Sequence, residues 1–287
     1  MAEVTSLMQG KTVMVTGATD GIGWVTAREL AGMGARVLLV GRNEQKGRRA
    51  LADIRKVLPR ADLAFHRADL SLMGEVRRLA RDVAESEARL DVLVNNAGGL
   101  FQHRQETADG FERTFALNHL NYFLLTNLLL PKLQQAGSAR IVNVASRAHE
   151  GGRLDFDDLQ SARNYKGWPA YRASKLANVL FTRALARRLD GSDVTANALH
   201  PGFVRTAFGG DNPLVFRLAV RAAMLVLAIS VEDGAKTSIH LASSSEVEGL
   251  SGGYYAKSRL VQPSAAAQDD AAAERLWQVS EALVAGA

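Results

Sequence analysis

The chain has 287 residues, 47% of them hydrophobic and 23% charged, with a formal net charge of +5 and no cysteine. That length and apolar content can bury a full core as one domain or two and exclude a disordered chain. The missing cysteines exclude disulfides and thiolate chemistry, as suits a reducing cytoplasm. Arg and Lys are spread along the chain with no basic run interleaved with aromatics, so the charge suits an anionic cofactor better than nucleic acid.

Residues 1–6 contain no basic or apolar leader region, so no signal peptide is read. Short β-branched runs then alternate with longer helical patterns. The first strand, residues 11–16, leads through Thr16-Gly17-Ala18-Thr19-Asp20-Gly21-Ile22-Gly23 into a helix over residues 23–33 closed by Gly34. A glycine turn between strand and helix is the context of a dinucleotide cradle. Gly17 permits the sharp turn, Gly21 lets backbone approach a pyrophosphate, and Gly23 lets helix and strand pack closely. The helix start adds unsatisfied N–H groups and a positive dipole end. Gly17, Thr19, Asp20, Gly21, Ile22 and Gly23 are the candidate contacts. Glycines also end helices in unrelated chains, and the spacing, three residues between the first two glycines and one between the last two, is the more specific signal.

The second strand, residues 36–40, ends at Val40-Gly41-Arg42-Asn43. A cofactor with a free ribose 2′-hydroxyl meets an acid at this place. Arg42 stands here instead, with Lys46, Arg48 and Arg49 following on a helix over residues 44–58. A guanidinium fork matches a 2′-phosphate, so NADP is expected in preference to NAD. A solvated helix start explains Lys46 to Arg49 but not the missing acid. After strand 63–66, Asp69 and Leu70 are placed to meet an adenine, while Asp69 equally suits capping a helix from Ser71. Helix 72–86 and strand 91–95 follow. That strand ends in Asn95-Asn96-Ala97-Gly98, where ligands bind in parallel sheets, and Asn96, Ala97 and Gly98 are read as cofactor contacts.

A long helix over residues 112–135 and a strand over 140–145 precede a helix over 171–189. Tyr171 is the only one of five tyrosines with a lysine, Lys175, four positions on. One helical turn apart, the two side chains share a face, and an ammonium beside a phenol favours the phenolate. A free tyrosine titrates near 10, so reaching neutrality takes about 4 kcal/mol of phenolate stabilisation. A strand over residues 194–199, a helix over 231–243 and a strand over 253–256 complete the pattern, and the Ala-rich tail is left unassigned. Such alternation predicts an α/β, doubly wound parallel sheet with helices on both faces, a Rossmann fold in a single domain. The apolar stretch 213–231 is interrupted by Arg217 and Arg221, too short an apolar run to cross a bilayer.

Together, the glycine turn, Asn95-Asn96-Ala97-Gly98, Asn118, Ser146, Tyr171 with Lys175, and Pro201-Gly202 resemble the short-chain dehydrogenase/reductase family over about residues 10–256. Leu117-Asn118-His119-Leu120, Val142 to His149 and Ser174 to Thr182 resemble its retinol dehydrogenase branch, which includes WW-domain oxidoreductases. The resemblance implies Tyr171 as acid/base, Lys175 as its pKa partner and ribose ligand, Ser146 as carbonyl orienter and Asn118 as holder of a relay water. It also implies that Pro201, Gly202, Val204 and Thr206 contact the nicotinamide. Departures are Ala145 where a second serine is common and Asn121 where glycine is common. Segment 147–169 resembles that branch's insertion; its Asp155, Asp157 and Asp158 lack His or Cys partners at metal spacing and read as a solvated loop. His149 and His200 read as structural.

The expected function is hydride transfer between NADP(H) and an alcohol or carbonyl of an apolar small molecule. The rival is an NADP-binding regulatory or scaffold protein without chemistry, which the complete set Asn118, Ser146, Tyr171 and Lys175 disfavours. An epimerase or dehydratase is disfavoured by the glycine spacing. A cytoplasmic, metal-free protein is expected, with homo-oligomerisation open. Segment 207–230, rich in Leu, Val and Phe, is either a lid over the substrate or an interface helix.

Overall fold

The computed structural model describes residues 7–204 and 229–287. The stretch read as lid or interface falls outside these residues apart from Ile229 and Ser230, and so does Thr206. Strand β1 (Thr12–Thr16), helix α1 (Gly21–Gly32), β2 (Arg36–Gly41), α2 (Glu44–Val57), β3 (Leu63–Arg67), α3 (Met73–Ser86) and β4 (Val92–Asn95) form the first half. The second half holds α4 (Arg113–Phe115), a π turn (Ala116–Leu120), α5 (Asn121–Gln134), β5 (Ala139–Val144), α6 (Gly167–Arg188) and β6 (Val194–His200). It ends with α7 (Val231–Ser243), β7 (Tyr254–Ala256), β8 (Arg259–Leu260) and α8 (Asp270–Ala285).

The strands lie in the order β3-β2-β1-β4-β5-β6-β7-β8. All neighbours are parallel except β7 and β8. The order reverses between β1 and β4, which leaves a crevice at their carboxyl ends. Alternation along each strand sends its side chains into two cores. Met14, Leu38, Leu93 and Ile141 pack with α3, α5, α6 and α8. Val13, Val15, Leu39, Val94 and Val142 pack with α1, α2 and α7. Among the described residues no helix is long and apolar enough to cross a membrane.

Three expectations need correction, and the unassigned tail gains a helix. The helix expected over residues 112–135 is divided by the π turn, where Asn121 donates its backbone N–H to Ala116 rather than to Leu117. The Asn121 amide then bonds the Leu117 carbonyl from the side chain. Helix α6 begins at Gly167, a turn before Tyr171, because Pro169 falls in the first turn, where a missing N–H costs nothing. Asp69 does not cap a helix at Ser71. It closes a local turn onto the Ser71 N–H and hydroxyl at 3.0 and 2.7 Å, and α3 starts at Met73, whose N–H donates to Asp109. The Ala-rich tail forms α8, N-capped by Asp269, which accepts from Ala272 at 2.9 Å.

Candidate active site

A cavity of about 540 Å³ opens at the carboxyl ends of β1, β4 and β5. Its first wall is the glycine turn. Gly17 and Gly21 take positive φ of 64° and 58°, a region that favours glycine. A Cβ on Gly23 would lie 2.3 Å from the Gly17 carbonyl oxygen and 2.5 Å from the Asn96 amide. Asp20 caps α1 by accepting from Gly21 at 2.7 Å, which satisfies one of the exposed N–H groups at this helix end. The turn is held from behind. Thr16 Oγ1 accepts from Asn96 and Ala97 N–H at 2.8 and 3.0 Å, and the Asn96 amide donates to the Thr16 carbonyl at 2.8 Å.

The four basic residues after β2 divide. Arg48 and Arg49 pair along α2 with Glu44 and Asp53, as a solvated helix face does. Arg42 and Lys46 instead line the cavity. Asp69, Leu70, Ala97 and Gly98 line it as well. This donor set suits an anionic dinucleotide: no carboxylate stands at the end of β2, and the cradle has backbone where side chains would intrude.

At the other end are Tyr171 and Lys175, one turn apart on α6 and 8% and 4% exposed. The Lys175 ammonium donates to the Val144 carbonyl at 2.9 Å and lies 5.8 Å from the Tyr171 ring centre. Burial pushes the phenol up to about 12, against a smaller downward pull from the Ser146 hydroxyl. Burial also pulls the Lys175 ammonium down to about 7. Neither value alone gives a phenolate at neutral pH; positive charge brought into the site shifts the phenol downward.

Ser146 follows β5 and caps a short 3₁₀ turn (Arg147–Gly151) by accepting from Ala148 at 3.1 Å. His149 steadies that turn. Its Nε2 accepts from Ser264 N–H at 3.2 Å, so Nδ1 carries the proton and donates to the Ser146 carbonyl at 2.8 Å. His200 accepts from Gly202 N–H at 3.1 Å. Both histidines thus hold backbone. Asn118, fully buried in the π turn, grips Gly99 by both peptide groups at 2.8 and 2.9 Å and donates to Ser174 at 2.9 Å. The Asn118 oxygen and Lys175 ammonium would lie 3.1 and 3.4 Å from a Cβ on Gly98.

Pro201 lines the cavity, whereas Gly202 and Val204 lie beyond its lining. Val204 pairs with Ile229, and its side chain would meet a Cβ on Gly234 at 2.6 Å. In the 147–169 segment, Asp155 and Asp158 pair with Arg163 on the surface.

Several lining residues had no motif to announce them. Leu100 and Phe101 add an apolar wall to the lining beside Leu117, which the Leu117-Asn118-His119-Leu120 motif already contains, and the Arg113 guanidinium lies 4.4 Å from the Phe101 ring centre. Trp168, half exposed, stacks on Tyr171 at 5.6 Å. Asn95 faces away from the cavity, in a buried chain that runs through Asn143 to Thr182 with bonds of 2.9 Å.

A parallel sheet with a glycine turn at its crossover and a buried Tyr-Lys pair across the crevice defines a nucleotide-binding α/β oxidoreductase class. Comparison with known proteins makes this specific. The short chain dehydrogenase family matches residues 11–213. Human retinol dehydrogenase 14 is 42% identical over 97% of this chain and 87% of its own. A solved structure of an uncharacterised Mycobacterium paratuberculosis protein is 35% identical with a TM-score of 0.80, covering 99% of this chain and 96% of that one. A short chain dehydrogenase from Escherichia coli CFT073, solved with NADPH, is 26% identical with a TM-score of 0.72, covering 89% and 99%. The chain belongs to the short chain dehydrogenase family of oxidoreductases, in its retinol dehydrogenase-like branch.

Proposed function

We propose that the protein is an NADP(H)-dependent oxidoreductase interconverting an alcohol and a ketone or aldehyde of an apolar small molecule. The observation that carries this reading is the cavity itself. Two cations, Arg42 and Lys46, line one part of it, and Tyr171 with Lys175 lines another. Relatives named retinol dehydrogenases and a neighbour solved with NADPH support it.

Gly17, Thr19, Gly21, Ile22 and Gly23 would hold the pyrophosphate, Arg42 and Lys46 the 2′-phosphate, and Asp69 with Leu70 the adenine. Asn96 to Gly98 and Pro201 would bound the nicotinamide half, with Gly202 and Val204 following Pro201, and Thr206 is proposed as a further contact from the sequence alone. A bound nicotinamide supplies or takes up the hydride. Tyr171 gives the carbonyl oxygen a proton from its phenol in reduction and removes it in oxidation. Ser146 donates a hydrogen bond to the same oxygen and fixes its approach. Lys175 favours the phenolate, because its ammonium sits beside the ring in a site shielded from water. Leu100, Phe101 and Leu117 exclude water and select an apolar substrate, each buried substrate methylene adding up to about 0.8 kcal/mol.

The test is a panel of aliphatic and ring-bearing aldehydes, ketones and alcohols, followed by nicotinamide absorbance with both cofactors. The reading expects turnover that rises with substrate apolarity and prefers NADPH. No turnover across the panel, or an NADH preference, contradicts it.

A further inference from the structure

Helix α8 lies against α5 and α6, far in sequence from the proposed catalytic residues. Arg183 and Arg187 pair with Asp270, and Arg188 pairs with Glu274 at 2.8 Å. Trp277 inserts between Phe123 and Phe181, with ring centres 4.9 and 5.8 Å away. These contacts explain why the helix docks. They do not explain Ser280, a fully buried hydroxyl that points into the aromatic layer.

Ser280 Oγ meets His119 Nε2 at 2.8 Å, and both residues are at most 1% exposed. His119 belongs to the π turn, with its ring between Phe115 at 5.1 Å and Phe181 at 6.1 Å. The preceding residue is Asn118. Consecutive helical residues point in different directions, so the turn has two working sides. On one, Asn118 clamps Gly99 and Ser174. On the other, His119 is held by α8. A π turn is a rare geometry that often marks functional sites, and it persists where surrounding contacts fix it.

We propose that His119 and Ser280 are positioning residues. Their hydrogen bond fixes the π turn, and the turn sets the Asn118 amide and the Gly98–Gly99 loop against Lys175. The C-terminal helix is thereby a brace of the active site. This inference rests on the proposed oxidoreductase reading. Its weight lies in contacts that meet on one turn: a double clamp on the Gly99 peptide, a bond to Ser174 on the catalytic helix, and a buried bond to α8. Losing the last leaves a buried imidazole nitrogen without its partner and frees the turn to relax toward α geometry.

The test compares two substitutions on the same helix of the full-length chain. Ser280→Ala removes one oxygen, whereas Trp277→Ala removes packing from Phe123 and Phe181 and leaves the His119–Ser280 hydrogen-bonding groups in place. A small misplacement of reacting groups is enough to cost a large factor in rate, so Ser280→Ala is expected to lower kcat about tenfold. The NADPH dissociation constant should stay within about twofold, since the proposed phosphate contacts on the glycine turn, Arg42 and Lys46 lie away from the brace and only the nicotinamide end meets the Gly98–Gly99 loop. Trp277→Ala should lower Tm more than Ser280→Ala while lowering kcat less. The proposal is overturned if Ser280→Ala keeps more than about half of kcat. It is also overturned if NADPH affinity falls in parallel, or if Trp277→Ala lowers kcat as much. Should the wild type turn over no substrate, the oxidoreductase reading fails while the brace is still read by amide hydrogen exchange. Faster exchange at Gly99 in Ser280→Ala than in Trp277→Ala supports it; equal exchange overturns it.

Discussion

At one end of the cavity, Gly17, Gly21 and Gly23 are near neighbours in sequence, and what they offer is backbone and open space. The cations beside them, Arg42 and Lys46, are exposed. At the other end, Ser146, Tyr171 and Lys175 are brought together from β5's exit and α6, and Asn118 is pinned behind them by Gly99, Ser174 and, one residue along, α8. Tyr171 and Lys175 are almost wholly removed from water. The contrast has a physical reason. Holding an anion needs donors and room, which a short turn supplies and exposed charges reinforce. Changing the proton affinity of a phenol needs low dielectric, and that requires several elements closing around it.

Breaking the cradle should give the largest effect. Gly23→Ala places a Cβ 2.3 Å from the Gly17 carbonyl oxygen, so backbone must move. NADPH affinity, read by fluorescence titration, should fall more than about a hundredfold, which corresponds to about 3 kcal/mol. Far-ultraviolet circular dichroism should stay close to wild type. An affinity within about tenfold of wild type would show that the turn is not the cradle.

Arg42→Ala tests the exposed charges and should act selectively. A charge-assisted contact to phosphate is worth about 1.5–3 kcal/mol, less where solvent screens it, so NADPH should weaken about tenfold. NADH should change by less than about twofold. Equal losses for both cofactors would remove the assignment of the 2′-phosphate to Arg42.

The third prediction sharpens the buried end and concerns stability. Burial lowers Lys175 to about 7, below the 10.5 of the unfolded chain. Between those values the unfolded state binds more protons, so wild-type stability rises with pH across this window. Below about pH 7 the penalty on the folded state is full. Lys175→Met should therefore raise the Tm of the cofactor-free protein by a few degrees at pH 6–7, with the gain gone near pH 10.5. A gain that does not depend on pH would mean that desolvation of Lys175 is not its source.

The same contrast explains what was legible in the sequence. The sheet, its helices and the glycine turn are written in local spacing, and the structure places them within a few residues of expectation. The cationic pair was half legible: Arg42 stood out by the missing acid, but Lys46 separates from Arg48 and Arg49 only once α2 turns the last two toward Glu44 and Asp53. The alanines of helix α8 read in sequence as tail composition. Ala273, Leu276, Ser280 and Val284 nevertheless recur at helical spacing and are all buried. The π turn had no signal of its own, since Leu117 to Asn121 reads as ordinary helix. The hairpin at β7 and β8 turns on Lys257 and Ser258 at positive φ, where no glycine or asparagine flags it. In the wall of Leu100, Phe101 and Leu117, only Leu117 falls in a motif; tertiary packing brings Leu100 and Phe101 beside it.

On the proposed mechanism, Tyr171 handles the proton while the distant cradle holds the cofactor. Tyr171→Phe removes one oxygen at the buried end and nothing at the cradle. Measured side by side on the same preparation, turnover of the best carbonyl substrate should fall by about 10²–10⁴-fold, the usual worth of general acid catalysis. The NADPH dissociation constant should stay within about threefold. A variant that keeps more than about a tenth of wild-type kcat, or that loses turnover only because NADPH no longer binds, would contradict the account.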